Sequence, residues 1–182
     1  MALSATNIDQ LTIRAATCED APALAEFAER SFRDTFGCDN VESDMAQYVA
    51  RAFGDETQRA ELADSRRVIL LAEAGGVIAG YAQLMNDSAP DDIAMERPAI
   101  ELERFYVARA WHGHGIAQQL MARATEAAAR SDAATLWLAV WERNPRAIAF
   151  YRKSGFVDVG SRLFLLGGDR QTDRVMSRLL WR

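Results

Sequence analysis

The chain has 182 residues, 49% of them apolar and 26% charged, with a formal net charge of −5 at pH 7. That make-up is ordinary for a soluble globular protein and predicts a single domain over residues 1–182, long enough to bury a core. The negative charge argues against a general nucleic-acid surface, which would be basic, and it suits a cationic substrate no better than it suits solubility alone. Cys18 and Cys38 have no CxxC spacing and no ligand cluster, so neither a disulfide scaffold nor a metal site is expected. No apolar run approaches the roughly 18 residues of a membrane helix. The first ten residues lack the cationic start and apolar core of a leader, which makes the cytoplasm the expected compartment and a membrane partner unexpected.

A short strand is predicted at 11–15. Thr17 or Asp20 can cap the next helix, where Ala21, Leu24, Ala25, Ala28 and Phe32 fall on one face. The polar stretch 36–64, with Asp39, Glu42 and Asp44, suits one or two short helices. Residues 68–74 and 77–84 alternate around Gly75-Gly76 and read as a hairpin. Residues 86–98, rich in Asp and Pro, form a loop expected on the substrate side. A strand at 100–107 leads into a helix at 115–130, in which Ile116, Leu120, Ala124 and Ala128 repeat at helical spacing. A strand at 136–141 follows. Asn144 then reads as an N-cap, Pro145 as the first helical residue and Gly155 as the terminator. Strands at 157–166 and 174–181, joined through Gly167-Gly168-Asp169, complete an α/β or α+β sheet domain.

Two segments carry chemistry. In IELERFYVARAWHGHGIA, residues 100–117, an alternating strand ends in a glycine-punctuated turn that opens directly into a helix. Such a turn presents free backbone N–H groups and the positive end of a helix dipole to an anion. Gly113 and Gly115 permit dihedrals and close approaches that a Cβ would forbid. Neither a GK[ST] sequence nor the third glycine of GxGxxG is present, which excludes two nucleotide-binding loops. His112 and His114 lack a third ligand at metal spacing. A plain strand-to-helix connection is the competing reading of the turn taken alone. The second segment, NPRAIAFYRKSGF at 144–156, begins 27 residues after Ala117. In it Asn144 can be a helix cap only, and Tyr151 shares a face with Ala147 and Ile148, as a core residue would.

Together the two segments resemble the signature of the GNAT N-acetyltransferases. HGHGIA has the spacing of that family's pyrophosphate loop, with His112 and His114 at places where Arg, Gln or Lys is common, and NPRAIAFYRKSGF matches NxxAxxFYxxxGF at every fixed place. The resemblance implies a mixed, mostly antiparallel sheet of about seven strands flanked by helices, splayed between the strands at 100–107 and 135–141. It implies acetyl-CoA as cosubstrate, with no metal. The pantetheine arm would lie along the backbone of Phe105, Tyr106 and Val107, and the pyrophosphate over His112, Gly113, His114, Gly115, Ile116 and Ala117. Asn144 would hydrogen-bond the pantetheine, and Tyr151 would stand beside the thioester sulfur. Since histidine is not reliably charged at neutral pH, cofactor affinity is expected to be weaker or more pH-dependent than with Arg.

Acetylating an amine requires a neutral nucleophile, although a free alkylammonium has a pKa of about 10.4. Holding it neutral at pH 7 costs about 4.6 kcal/mol, so a base or a proton-accepting water path is useful. A backbone N–H can meet the charge on the acetyl oxygen, and a phenol such as Tyr151 can donate a proton to the leaving thiolate. Simple alternation places Glu101 and Glu103 on one strand face with Phe105 and Val107. Glu101 lies eleven residues before His112, where some family members carry a catalytic Glu, and is the first candidate base, acting through water. Glu103 is the second. A polar sheet face paired with Arg104 or another surface cation accounts for both equally well.

The stretch 141–173, with QTD after a GxD turn, and SFRDTFG at 31–37 are further similar to bacterial PaiA-type acetyltransferases, which implies a polyamine acceptor such as spermidine or spermine. Asp39, Glu42, Asp44, Asp91 and Asp92 can attract a polycation, or can be solvated loop residues. A protein N-terminus or lysine and an aminoglycoside remain alternative acceptors, and a non-catalytic acetyl-CoA-binding regulator is the non-enzyme alternative. A homodimer is compatible with the resemblance. Neither cysteine lies in the motifs, so direct attack in a ternary complex is expected rather than an acyl-enzyme.

Overall fold

The computed structural model describes residues 11–180. The leader reading, and the extension of the last strand to residue 181, fall outside that range. Seven strands form one sheet in the order β1-β2-β3-β4-β5-β7-β6. They are β1 Thr12–Ala15, β2 Arg67–Ala74, β3 Val77–Met85, β4 Ala99–Val107, β5 Thr135–Trp141, β6 Val157–Leu166 and β7 Asp169–Leu179. All pair antiparallel except β4 and β5, which are parallel. The helices are α1 Ala21–Phe36, α2 Glu42–Ala52, α3 Asp55–Ala63, α4 Ile116–Arg130 and α5 Pro145–Lys153.

The two sheet faces carry separate apolar layers. On one face, Ile116, Leu120, Ala124 and Ala128 of α4, together with Ile148 and Tyr151 of α5, pack on Leu70, Leu84, Ile100 and Leu138. On the other, Leu24, Phe27 and Phe32 of α1 and Met45 and Val49 of α2 pack on Ile69, Leu71 and Tyr81. The helical periodicity seen in the sequence is therefore a core stripe on each helix. Gly75 and Gly76 both have positive φ (60° and 79°), the requirement of a two-residue turn whose twist matches the β2–β3 hairpin.

Two departures from the sequence reading concern function. The β3–β4 register steps from Gln83↔Arg104 to Leu84↔Leu102, so Glu103 is the extra residue of a bulge. The bulge reverses the alternation. Ile100 and Leu102 pack on the α4 and α5 face, and so do Phe105 and Val107. Tyr106 packs on the α1 and α2 face. Glu101 therefore lies on the face opposite Phe105 and Val107, contrary to simple alternation. Second, β7 begins at Asp169 rather than 174, because Gly167-Gly168 alone make the turn. Gln171, Thr172 and Asp173 are thus strand residues with fixed facing, not loop. Gly168 N–H donates to Asp44 Oδ1 at 2.9 Å and Gln171 Nε2 to Asn40 Oδ1, which ties this hairpin to α2 and to the segment before it.

The loop 86–98 is pinned to the sheet. Trp137 Nε1 donates to the Ser88 carbonyl (2.7 Å), and Ala89, Ile93 and Met95 pack on Ala99, Trp137 and Val175. It is an anchored cover, and Asp91 and Asp92 point to solvent at its tip.

Candidate active site

The parallel pairing of β4 with β5 covers only Ala99↔Thr135, Ile100↔Leu136 and Glu101↔Trp137, although both strands continue. Beyond Glu101 they splay. Ala108 N–H donates to the Ala79 carbonyl on the β3 side (2.9 Å). By strand alternation, the N–H groups of Val107 and Phe105 therefore turn towards the gap. A cavity of about 450 Å³ fills the splay and crosses the sheet. Its lining on the α4 and α5 side includes His112, Ala117, Asn144, Ala147, Phe150 and Tyr151. On the α1 and α2 side it includes Phe36, Tyr48, Trp141, Arg162, Phe164 and Asp173.

The gap leads to the glycine turn. Gly113 (φ 84°) and Gly115 (φ 80°) are left-handed, and a Cβ built on either would meet nothing within 4 Å. Dihedral freedom, not crowding, calls for glycine there, and the space over the turn is open. Gly115 caps α4 with no side-chain hydrogen bond, and no acidic residue occupies the first turn. The N–H groups of Ile116, Ala117 and Gln118 therefore have no intrahelical acceptor and face open space, as a phosphate requires. His114 is exposed. His112 is turned inward, its Nε2 2.8 Å from the Val107 carbonyl, and burial lowers its pKa. The lowered pKa favours the neutral ring, and its Nε2–H is spent on the backbone.

Asn144 caps α5 by accepting the Ala147 N–H at 3.1 Å, and it also lines the cavity with its Nδ2 uncommitted. The cap reading holds, and the cap leaves the amide nitrogen on the cavity side. Tyr151 is 8% exposed and set among Phe105, Phe150 and Phe156. Its hydroxyl has no hydrogen-bond partner among the described residues, and the residue lines the cavity. Burial raises its pKa well above the ordinary phenol value, so it keeps its proton at any physiological pH and can only donate one.

Glu101 is 9% exposed, and burial raises its pKa against the pull of Ser88 and Arg162. Both oxygens are engaged, one by Ser88 Oγ (2.8 Å) and one by Arg162 Nη1 (3.2 Å). Glu103 accepts from Arg67 Nε (3.1 Å) and Gln83 Nε2 (3.0 Å). Other cations thus hold the glutamates, Arg162 and Arg67, while Arg104 forms a two-pronged pair with Glu61 (2.6 and 2.9 Å) and lies 5.0 Å over the Phe53 ring.

A further carboxylate, noted in the sequence only as the end of QTD and given no role there, lines the same cavity. Asp173 is 7% exposed, lines the cavity and receives no hydrogen bond among the described residues. Burial pushes its carboxyl up to about 6, opposed by Arg162 and assisted by Glu142. Its signal was the alternation of β7, legible only once the strand is known to start at Asp169. Neither Cys18 nor Cys38, both exposed, lines the cavity.

A strand gap over an uncapped, glycine-led helix, with a protonated phenol in the same cavity, describes an acyltransferase that holds a long phosphorylated thioester. Residues 23–156 match the Acetyltransferase (GNAT) family. The chain is 31% identical over 162 residues to an uncharacterized N-acetyltransferase of Lactobacillus delbrueckii subsp. lactis, covering 89% of this chain and 93% of the relative. It is 35% identical over 161 residues to an uncharacterized N-acetyltransferase of Mycobacterium tuberculosis, covering 88% and 98%. Its fold is shared with a PaiA N-acetyltransferase from Thermoplasma acidophilum solved in complex with coenzyme A, at a TM-score of 0.73 and 20% identity over 93% of this chain and 99% of that one. The chain belongs to the GNAT acetyltransferase family. It is an acetyl-CoA-dependent N-acetyltransferase.

Proposed function

We propose that this enzyme acetylates a small primary amine by direct attack on the thioester within a ternary complex. The observation that supports this most strongly is the single cavity crossing the sheet, with the phosphate-type turn and Tyr151 on one side and carboxylates on the other. In this reading the free N–H groups at the start of α4 hold the pyrophosphate, and Asn144 Nδ2 and the gap-facing backbone of β4 hold the pantetheine. A gap-facing N–H of Phe105 or Val107 meets the acetyl oxygen as it gains charge. Tyr151 donates to the sulfur as the C–S bond breaks, the nitrogen lone pair having formed the C–N bond.

The sequence likeness to PaiA-type enzymes supports a polyamine as acceptor. The placement of acidic residues supports a single ammonium instead. Glu42 is held by Arg33 (2.8 Å) and Asp44 by Gly168 N–H, and Asp91 and Asp92 lie at the exposed tip of the anchored loop. Asp39 borders a smaller neighbouring cavity, beside Arg109, Arg143 and Arg146. None of the five lines the main cavity, where Arg104, Arg146 and Arg162 face Glu101, Glu103 and Asp173. A chain of three or four positive charges finds no matching row of carboxylates. The test is acetylated-product detection over a panel of amines, with spermidine and spermine beside monoamines. Preference for spermidine by tenfold, about 1.4 kcal/mol, establishes the polyamine branch, and preference for monoamines removes it.

A further inference from the structure

The half of the cavity on the α1 and α2 side has a definite composition. Phe36 and Trp141 meet edge to face (5.9 Å), and Tyr48 meets Phe164 the same way (5.4 Å). Among the described residues that line the cavity, the carboxylate of Asp173 is the one anion without a hydrogen bond. Its β6 neighbour in register, Arg162, is turned to Glu101 and lies 5.3 Å over the Trp137 ring. The charged and titratable groups facing Asp173 are Arg162 on β6, Glu142 after β5 and Tyr48 on α2. A carboxylate buried without a hydrogen-bonded partner is costly, and an incoming cation is the group that would relieve the cost.

We propose that Asp173 seats the acceptor's ammonium and takes its proton as the nitrogen becomes the nucleophile, and that the surrounding rings select an amine with an apolar or aromatic body. This deepens the acetyltransfer reading and rests on it. The first ammonium proton passes to Asp173 and on to solvent, which frees the lone pair to form the C–N bond. The electron pair of the C–S bond leaves with sulfur, which receives a proton from Tyr151. The nitrogen sheds its second proton through cavity water, which restores the phenol, and the third stays on the amide. Aromatic faces add attraction for the cation before it is neutralised. Burial pushes the Asp173 carboxyl up to about 6, which makes the carboxylate a stronger base and narrows the gap to the ammonium that it must deprotonate.

The test compares the wild type with Asp173→Asn, using 2-phenylethylamine, hexylamine and spermidine as acceptors, with coenzyme A affinity measured by calorimetry on the same samples. The expected result is turnover of the two monoamines ahead of spermidine. Asp173→Asn should lower kcat/KM about 100-fold or more, leave the coenzyme A Kd within about threefold, and lose the acidic limb of the wild-type pH profile near pH 6. Retention of kcat/KM within about threefold, with that limb intact, overturns the role of Asp173 while leaving acetyltransfer standing. Wild-type preference for spermidine, or silence toward both monoamines with coenzyme A still bound, overturns the acceptor class. Failure of the wild type to bind coenzyme A is a failure of the acetyltransfer reading itself and takes this proposal with it.

Discussion

Replacing Asp173 by Asn should make the protein more stable at neutral pH, because the carboxylate is kept at a stability cost. Its carboxyl moves from the reference 3.8 to about 6 on folding, with burial as the cause. Below pH 3.8 it is protonated in both states and costs nothing. As pH rises through 6 the folded state must carry a poorly solvated charge that the unfolded chain hydrates freely. Stability is therefore lost with rising pH, by about 3 kcal/mol at pH 8 and about half of that at pH 5. An Asn of the same shape carries no charge, but its amide forgoes hydrogen bonds worth about 1 kcal/mol. The net gain at pH 8 is about 2 kcal/mol, or roughly 4–8 °C in Tm for a chain of this size. Urea unfolding of both proteins from pH 5 to pH 8 measures it, as a higher midpoint at unchanged slope. An equal or lower midpoint for Asp173→Asn at pH 8, or a difference that does not change with pH, refutes the claim that this carboxylate is desolvated.

Tyr151→Phe should lower kcat by about 100-fold, the scale of a lost general acid, with coenzyme A affinity unchanged; steady-state kinetics and calorimetry on the same sample check both halves. Glu61→Ala removes the partner of the buried Arg104 guanidinium and should cost about 3–5 kcal/mol in urea unfolding. His112→Gln should change coenzyme A Kd by less than about tenfold, because its Nε2 already serves the Val107 carbonyl and its lowered pKa favours the neutral ring. Gly115→Ala must hold φ near 80° at the cap of α4, a strain of about 1–3 kcal/mol, and should weaken coenzyme A binding by tenfold or more in the same calorimetric assay.

The sequence showed most where a rule is local. Asn144, Pro145 and Gly155 bound α5 because cap, first-turn and left-handed positions each demand a residue type. The Gly75-Gly76 hairpin and the core stripe of α4 were legible on the same ground. Facing along β4 was not, since the bulge at Glu103 comes from how β3 registers against β4 and leaves no mark in the alternation of β4 alone. Asp173 was given no role for a related reason. A polar run after two glycines reads as a turn, whereas pairing with β5 and β6 draws it into the sheet from Asp169 onward. The histidines of the turn were visible, but the inward rotation of His112 depends on the Val107 carbonyl being left unpaired by the splay.

In the proposed reaction, donor and acceptor meet in one cavity and react directly, with no acetyl group parked on the protein. Initial rates of thiol release, measured with acetyl-CoA and the best monoamine varied against each other, test it. Reciprocal plots that intersect, with no acetylated protein in mass spectra of enzyme held with acetyl-CoA alone, are the predicted result. Parallel plots, together with an acetylated enzyme that passes its acetyl group to added amine, would contradict it.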